Sequence, residues 1–390
     1  MRKLMLVIGV LFVFSLSGQV PASSKKPVKA KPVNSTPAAE PPAKKPESHE
    51  LFAAVRVNKT WGYIDKTGNY AINLQFDNAK SFSGGFARVK KMNDWGYIDS
   101  KGAFVINPQF ERAEDFSEGL ARVFKFKQWG YIEKSGTLVI NPQFNDARDF
   151  KDGLASVKKG LLWGLINTKG TFVVNPQFGE LGPFSNGLAR AKIGKQWGFI
   201  DRTGKQEINP QFADAEDFNG DLARVKKGNL WGYIDKTGTL VINPQFEEAG
   251  IFYNGLARAK KTHKWGFIDK KGTWIINAQF DNAGDFIEGL ACVKKGKEWG
   301  YIEPSGSYSI NPQFDQAEDF NDGVARVRKG TQWGFIGKKG VYTINPQFDN
   351  ANNFVNGFSL IRKGTKWGYI NATGTIVINC IYSEGDDFAR

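Results

Sequence analysis

The chain has 390 residues, 41% of them hydrophobic and 24% charged, with a formal net charge of +14. That length and apolar content support a sizeable core without disulfide staples. Two histidines and two cysteines are too few for a histidine-built metal cluster or a nucleophile triad.

The amino terminus reads as an export signal. Arg2 and Lys3 precede the apolar run LMLVIGVLFVFSL, Leu4 to Leu16, which is short for a bilayer span and suits a secretory core. Val20 and Ala22, or Ser15 and Ser17, offer small residues for cleavage, and the first pair is favoured. Gln19 stands where a lipid-anchored protein would carry cysteine. Residues 1–22 are therefore expected to leave as a signal peptide, with no stable transmembrane segment afterwards and an exported product in the periplasm, at the cell surface or outside the cell. Residues 23–50, SSKKPVKAKPVNSTPAAEPPAKKPESHE, hold proline and lysine with hardly any large apolar side chain. Such a segment cannot offset its chain entropy by burial and is expected to be a disordered tether. Extended as polyproline II at roughly 3.1 Å per residue, it would reach about 85 Å.

Beyond it the chain repeats. Trp61, Trp95, Trp129, Trp163, Trp197, Trp231, Trp265, Trp299, Trp333 and Trp367 stand 34 residues apart, each followed by glycine. The 340 residues from Leu51 to Arg390 are ten such units. A fixed period of this size marks a repeat architecture whose unit is one supersecondary element.

One unit, Gly85 to Glu118, serves for all. FARVKK, Phe86 to Lys91, alternates apolar and basic as a strand does. A second strand runs from Trp95 to Ile98. DSKG, Asp99 to Gly102, has the aspartate and glycine of a type I hairpin turn. A third strand, FVINP, is expected from Phe104 to Pro108, where proline stops the ladder. In the connector QFERAEDFSEG, Phe110, Ala113 and Phe116 fall at i, i+3 and i+6, which predicts a helical turn.

The second strand has apolar side chains on both faces, so each thin sheet needs cover twice. Neighbouring units supply it, with the indole filling the gap and the following glycine allowing close approach. An asparagine precedes the proline position in every unit, from Asn73 and Asn107 to Asn379, and is expected to bond strand-end backbone in a stacked ladder. Leu74, Ala54, Cys380 and Tyr382 mark the two end units as caps. The expected fold is all-β: ten units of about three antiparallel strands and a connector, stacked as an open β-solenoid or superhelical array, with propeller-like closure as the alternative. Propellers typically use roughly 4 to 8 four-stranded blades, which favours the open form.

The pattern WG[YF]ID..G...IN.QF..A.DF..GLARV resembles the bacterial WG-repeat family, also called KWG repeats, from Leu51 to Arg390. That resemblance implies an exported or surface-associated interaction module without established catalytic residues.

No cofactor site is expected. GKKG at Gly337 and KKGK at Lys294 lack the rest of a phosphate loop, and paired acids such as Glu114 and Asp115 read as solvated connector. Cys292 and Cys380 occupy different unit positions, so no internal disulfide is expected. Charge is the distributed feature. Lys90, Lys158, Lys192, Lys226, Lys260, Lys294, Arg328 and Arg362 end the first strands and should draw a basic stripe along the array, a candidate surface for an acidic protein or an anionic wall polymer. Nucleic acid is a poor candidate for an exported protein. The readings are thus a non-catalytic protein-interaction scaffold, or a glycan or wall-polymer binder if Tyr63, Tyr97, Phe199 or Tyr301 are exposed.

Overall fold

The structure, a computed structural model, describes residues 50–390. The expected signal peptide and nearly all of the tether lie outside the described residues. Residues 50–390 lie in one compact unit. Among the described residues no helix is long and apolar enough to cross a membrane.

The opening strands are β1 (Ala53–Val57), β2 (Thr60–Ile64) and β3 (Tyr70–Phe76), followed by β4 (Asn78–Ala79), β5 (Ala87–Lys91), β6 (Asp94–Ile98), β7 (Phe104–Phe110) and β8 (Arg112–Ala113). Strands β4 to β7 form one four-stranded antiparallel sheet in chain order. The same sheet recurs along the array. The connector thus contains a fourth strand: Ala113 lies in β8, where a helical turn was expected. The i, i+3, i+6 spacing arises because Phe110 ends one strand, Ala113 sits in the next, and Phe116 follows in the loop.

There are ten sheets, and the tenth junction closes the ring. The sheet of β1 to β3 takes its fourth strand, Glu384–Gly385, from the far end of the chain. Val55 pairs with Gly385 and Arg56 with Glu384. Phe52 and Ala389 exchange two backbone hydrogen bonds of 2.9 Å. The end units are therefore not solvent-facing caps but each other's neighbours. An open array would leave the apolar faces of the first and last sheets uncovered, whereas here Ala53, Val55 and Ile64 form a buried cluster with Leu360, Tyr369 and Phe388. The fold is a ten-bladed β-propeller, the propeller-like closure expected as the alternative, and the open solenoid is overturned.

Each junction uses the same contacts. The Tyr97 hydroxyl donates to the Glu114 carbonyl of the next blade at 2.6 Å, and its ring meets Phe116 with centroids 5.0 Å apart. Five other units carry the tyrosine bond, including Tyr369 to the Asp386 carbonyl across the seam. Gly102 (φ +81°) takes the left-handed conformation its turn needs, and a Cβ there would sit 2.9 Å from Ile72 of the preceding blade. Gly68 meets Ile378 in the same way across the seam.

The glycine after each tryptophan has a different partner. Trp95 pairs with Phe110 and Tyr97 with Ile106, so β7 carries two extra residues between these pairs. This bulge folds Asn107 and Pro108 across Gly96. A Cβ at Gly96 would lie 2.5 Å from the Ile106 carbonyl oxygen and 2.7 Å from the Pro108 nitrogen. The third strand continues through the proline because the bulge takes the residue lacking a donor out of the ladder. The asparagines ride outward on the bulge. All ten are exposed, and none makes a side-chain hydrogen bond among the described residues, so the expected ladder does not form.

Removing Ser383–Arg390 deletes the closing strand and Phe388. Calorimetry should show a lower Tm and a broadened transition, and small-angle scattering an expanded particle. An unchanged transition would contradict ring closure as the source of cooperativity. Gly96→Ala forces backbone against Cβ and should cost about 1–3 kcal/mol, read by denaturant unfolding. Burial holds the Tyr63, Tyr97, Tyr131, Tyr233, Tyr301 and Tyr369 hydroxyls well above the ordinary phenol range. A raised folded pKa favours the neutral phenol in the fold. This stability is fully present below about pH 10, the unfolded value, and is lost as pH rises beyond it. Alkaline titration should therefore show tyrosinate absorbance rising together with unfolding, not before it.

Candidate functional site

The basic residues at the ends of the first strands, Lys90, Lys158, Lys192, Lys226, Lys260, Lys294, Arg328 and Arg362, recur at one position in eight blades and are half-buried. Each lies directly across the ladder from that blade's tryptophan, as Lys90 does from Trp95. Lys158, Lys192, Lys226 and Lys260 hold their ammonium groups 5.6 to 6.0 Å from the indole centroids, and the Arg362 guanidinium lies 5.7 Å from that of Trp367. Lys192 also pairs with Glu180 at 3.2 Å and Lys260 with Glu248 at 2.7 Å. Where Phe124 interrupts the row, Arg112 on the adjacent strand covers Trp129 at 5.1 Å. Five of the eight thus place their charged groups over the indoles, a cation–π arrangement at the half-buried surface. Of the ten repeat tryptophans, five are buried and five half-buried.

A second cationic series lies two residues earlier on the same strands. Arg88, Arg122, Arg190, Arg224, Arg258 and Arg326 each reach into the following blade and donate from Nη1 to an alanine carbonyl, those of Ala113, Ala147, Ala215, Ala249, Ala283 and Ala351. Four also meet an aspartate there: Arg88 with Asp115 and Arg122 with Asp149 at 2.7 Å, Arg190 with Asp217 at 2.9 Å, Arg258 with Asp285 at 3.1 Å. Burial pushes the Asp217 and Asp285 carboxyls up, against the pull of their arginines. Sequence reading missed this series. Its signal was present, because arginine and aspartate recur 27 residues apart in four units.

The edge strand supplies the third repeated surface. Along β7, Val105, Asn107 and Gln109 point outward while Ile106 and Phe110 are buried. Val139, Val173, Val241 and Ile275 repeat the exposed apolar position at 40 to 48% accessibility. By contrast Tyr63, Tyr97, Phe199 and Tyr301 are at most 1% exposed. Both cysteines are free thiols, and no group of three or more His, Cys, Asp or Glu among the described residues is placed to hold a metal ion.

Among solved structures, the chain is similar to a eukaryotic initiation factor, at 12% identity over 77% of this chain and 96% of that one, with a TM-score of 0.49. It is also similar to Hsv2p of Kluyveromyces lactis, at 9% identity over 56% and 89% with a TM-score of 0.33. A third likeness is to the dihydro-heme d1 dehydrogenase NirN, at 10% identity over 70% and 74% with a TM-score of 0.35. These likenesses are too distant to carry an argument about function. A search of curated proteins finds no match. The family model described as WG containing repeat matches ten times, at residues 61–94, 95–125, 129–160, 163–197, 197–231, 231–265, 265–299, 299–330, 333–367 and 367–390. With tryptophan, glycine and bulge recurring in every blade, the chain belongs to the family of WG-containing repeat proteins.

Proposed function

We propose that the protein is an exported, non-catalytic scaffold that binds other proteins in the cell envelope. The observation that carries this reading is the outward row of the third strand, an apolar residue, asparagine and glutamine, displayed blade after blade beside half-buried cations. Asparagines without internal partners keep their hydrogen-bonding capacity for another chain, and the β-branched neighbours offer apolar area. Repetition around a ring makes weak contacts multivalent. The basic row suits an acidic partner surface, with charge steering the encounter. The glycan reading rests on exposure of Tyr63, Tyr97, Phe199 or Tyr301, and these four lie in the core. Export rests on the charged start and apolar run of the leader.

A photo-crosslinking side chain placed at Val105, Val173 or Val241 in the native host should yield envelope-located adducts that protease digests. The same group at buried Ile106 should yield none. Adducts that resist protease but yield to wall-degrading enzymes, or a protein retained in the cytoplasm with Met1 intact, would overturn the proposal.

A further inference from the structure

The arginine series is broken in four blades, and what stands opposite decides each case. At the position 27 residues on, where the series has its aspartate, Ala54 is matched by Ser81 and Ser156 by Pro183. Neither brings an acid, and in the Ser156 blade Arg148 covers Trp163 at 5.0 Å instead. Leu360 faces Asp387 but fills the space with its own buried side chain. Cys292 differs: it is short, and the acid opposite, Asp319, is kept. The Cys292 thiol donates to Asp319 Oδ1 at 3.2 Å, a weak bond, and no ion pair to Asp319 exists among the described residues.

The result is a cavity of about 370 Å³ between two blades, with Gly284, Cys292, Trp299, Ala317 and Asp319 in its lining. This lies toward the small end of ligand-site volumes, roughly 300–1,000 Å³. Its groups correspond one for one to those that hold a guanidinium elsewhere in the ring. In the preceding blade, Arg258 donates to the Ala283 carbonyl at 2.6 Å, meets Asp285 at 3.1 Å and lies 5.3 Å from the Trp265 centroid. Ala317, Asp319 and Trp299 are the matching carbonyl, carboxylate and indole. No cation lies over Trp299 among the described residues. Gly284 packs directly on this pair, since a Cβ there would stand 2.5 Å from both Cys292 Sγ and Asp319 Oδ1, as one at Gly250 would stand 2.7 Å from Arg258 Cγ and 3.1 Å from Asp285 Oδ1. Lys294 and Arg258 also line the cavity, with Asp315 and Glu318; Lys192 and Lys260 sit beside filled sites of the same design, and Arg224 lies near Asp285 as Arg258 lies near Asp319, so neighbouring cations do not exclude a guanidinium.

We propose that this inter-blade cavity binds a guanidinium group supplied from outside, the side chain of an arginine on a partner chain, in the place the array's own arginines take in six other blades. That the arginine comes from a protein rests on the scaffold reading; the guanidinium chemistry does not. Two separate acceptors, the Ala317 carbonyl and the Asp319 carboxylate, beside an indole face favour the planar, many-donor guanidinium over ammonium.

The test titrates the full chain with Nα-acetyl-arginine methylamide, its citrulline and lysine counterparts, guanidinium chloride, and a short Gly-Ser peptide containing one arginine, by calorimetry and saturation-transfer NMR. Arginine should bind saturably and at least tenfold more tightly than citrulline. Asp319→Asn should weaken it at least tenfold. Cys292→Arg should abolish it while raising Tm, because the new side chain occupies the site; if that variant does not fold, Asp319→Asn decides alone. Tighter binding of the peptide than of guanidinium chloride identifies a chain-borne arginine, and equal binding identifies a small guanidino compound. Arginine bound no better than citrulline, or equally by wild type and Asp319→Asn, would overturn the proposal. Success here with no protein adducts from the edge strands would sink the scaffold reading and leave the pocket standing.

Discussion

A sheet with two apolar faces must be covered on both sides, and everything else in this protein answers that requirement. Tyr97 and Ile98 are adjacent, point to opposite faces, and are both buried. One blade cannot protect them, and a row of blades protects all but the outermost two. Only a ring gives every blade two neighbours. The tyrosine hydroxyl bond, the aromatic pair and the glycine laid on an isoleucine are therefore repeated across the seam between chain ends as between consecutive units. Polar satisfaction follows the same geometry, since the hydroxyl that enters the junction finds a carbonyl already there.

The tryptophan-glycine pair gains a specific meaning from this arrangement. Tryptophan brings a large face that the cation beside it can roof. Glycine is needed because two extra residues on the adjacent strand are folded over it, and those residues carry the asparagine and proline. The motif letters are one device: the bulge turns asparagine to solvent, and glycine makes the bulge possible.

Much of this was legible in the sequence. Period, copy number, the three longer strands, the hairpin glycine and the burial of the indoles follow from spacing and residue type. The fourth strand was not legible, because two residues such as Arg112 and Ala113 carry no periodicity of their own and become a strand only by pairing with Phe124 and Val123. Closure was legible only as the alternative, because the pairing of Val55 and Arg56 with Gly385 and Glu384 joins positions that no sequence spacing marks as neighbours. The asparagine reading failed because a strand-end role was assumed where a bulge intervenes. The recurrence of the basic residues could be read from the sequence, but their contact with the indoles needed the ladder register. The cavity at Cys292 was hidden because it is defined by a residue missing from a series that had not been recognised.

The seam also differs from every other junction in the length of chain it closes. Every other junction joins neighbours along the chain, whereas Arg56 and Glu384 meet across 328 residues. For a flexible chain, closing that loop in place of a 34-residue one would cost about 2 kcal/mol more, and the curvature built by the junctions already formed must bring the ends together. The clasp itself is a two-residue strand with one flanking bridge. Unlike the two-residue strands of the other blades, it has no short covalent connection to the sheet it completes. At high concentration, an opened ring exposes a sheet lacking its fourth strand to the same strand on another molecule, so the seam that completes the monomer is also where two chains could exchange ends.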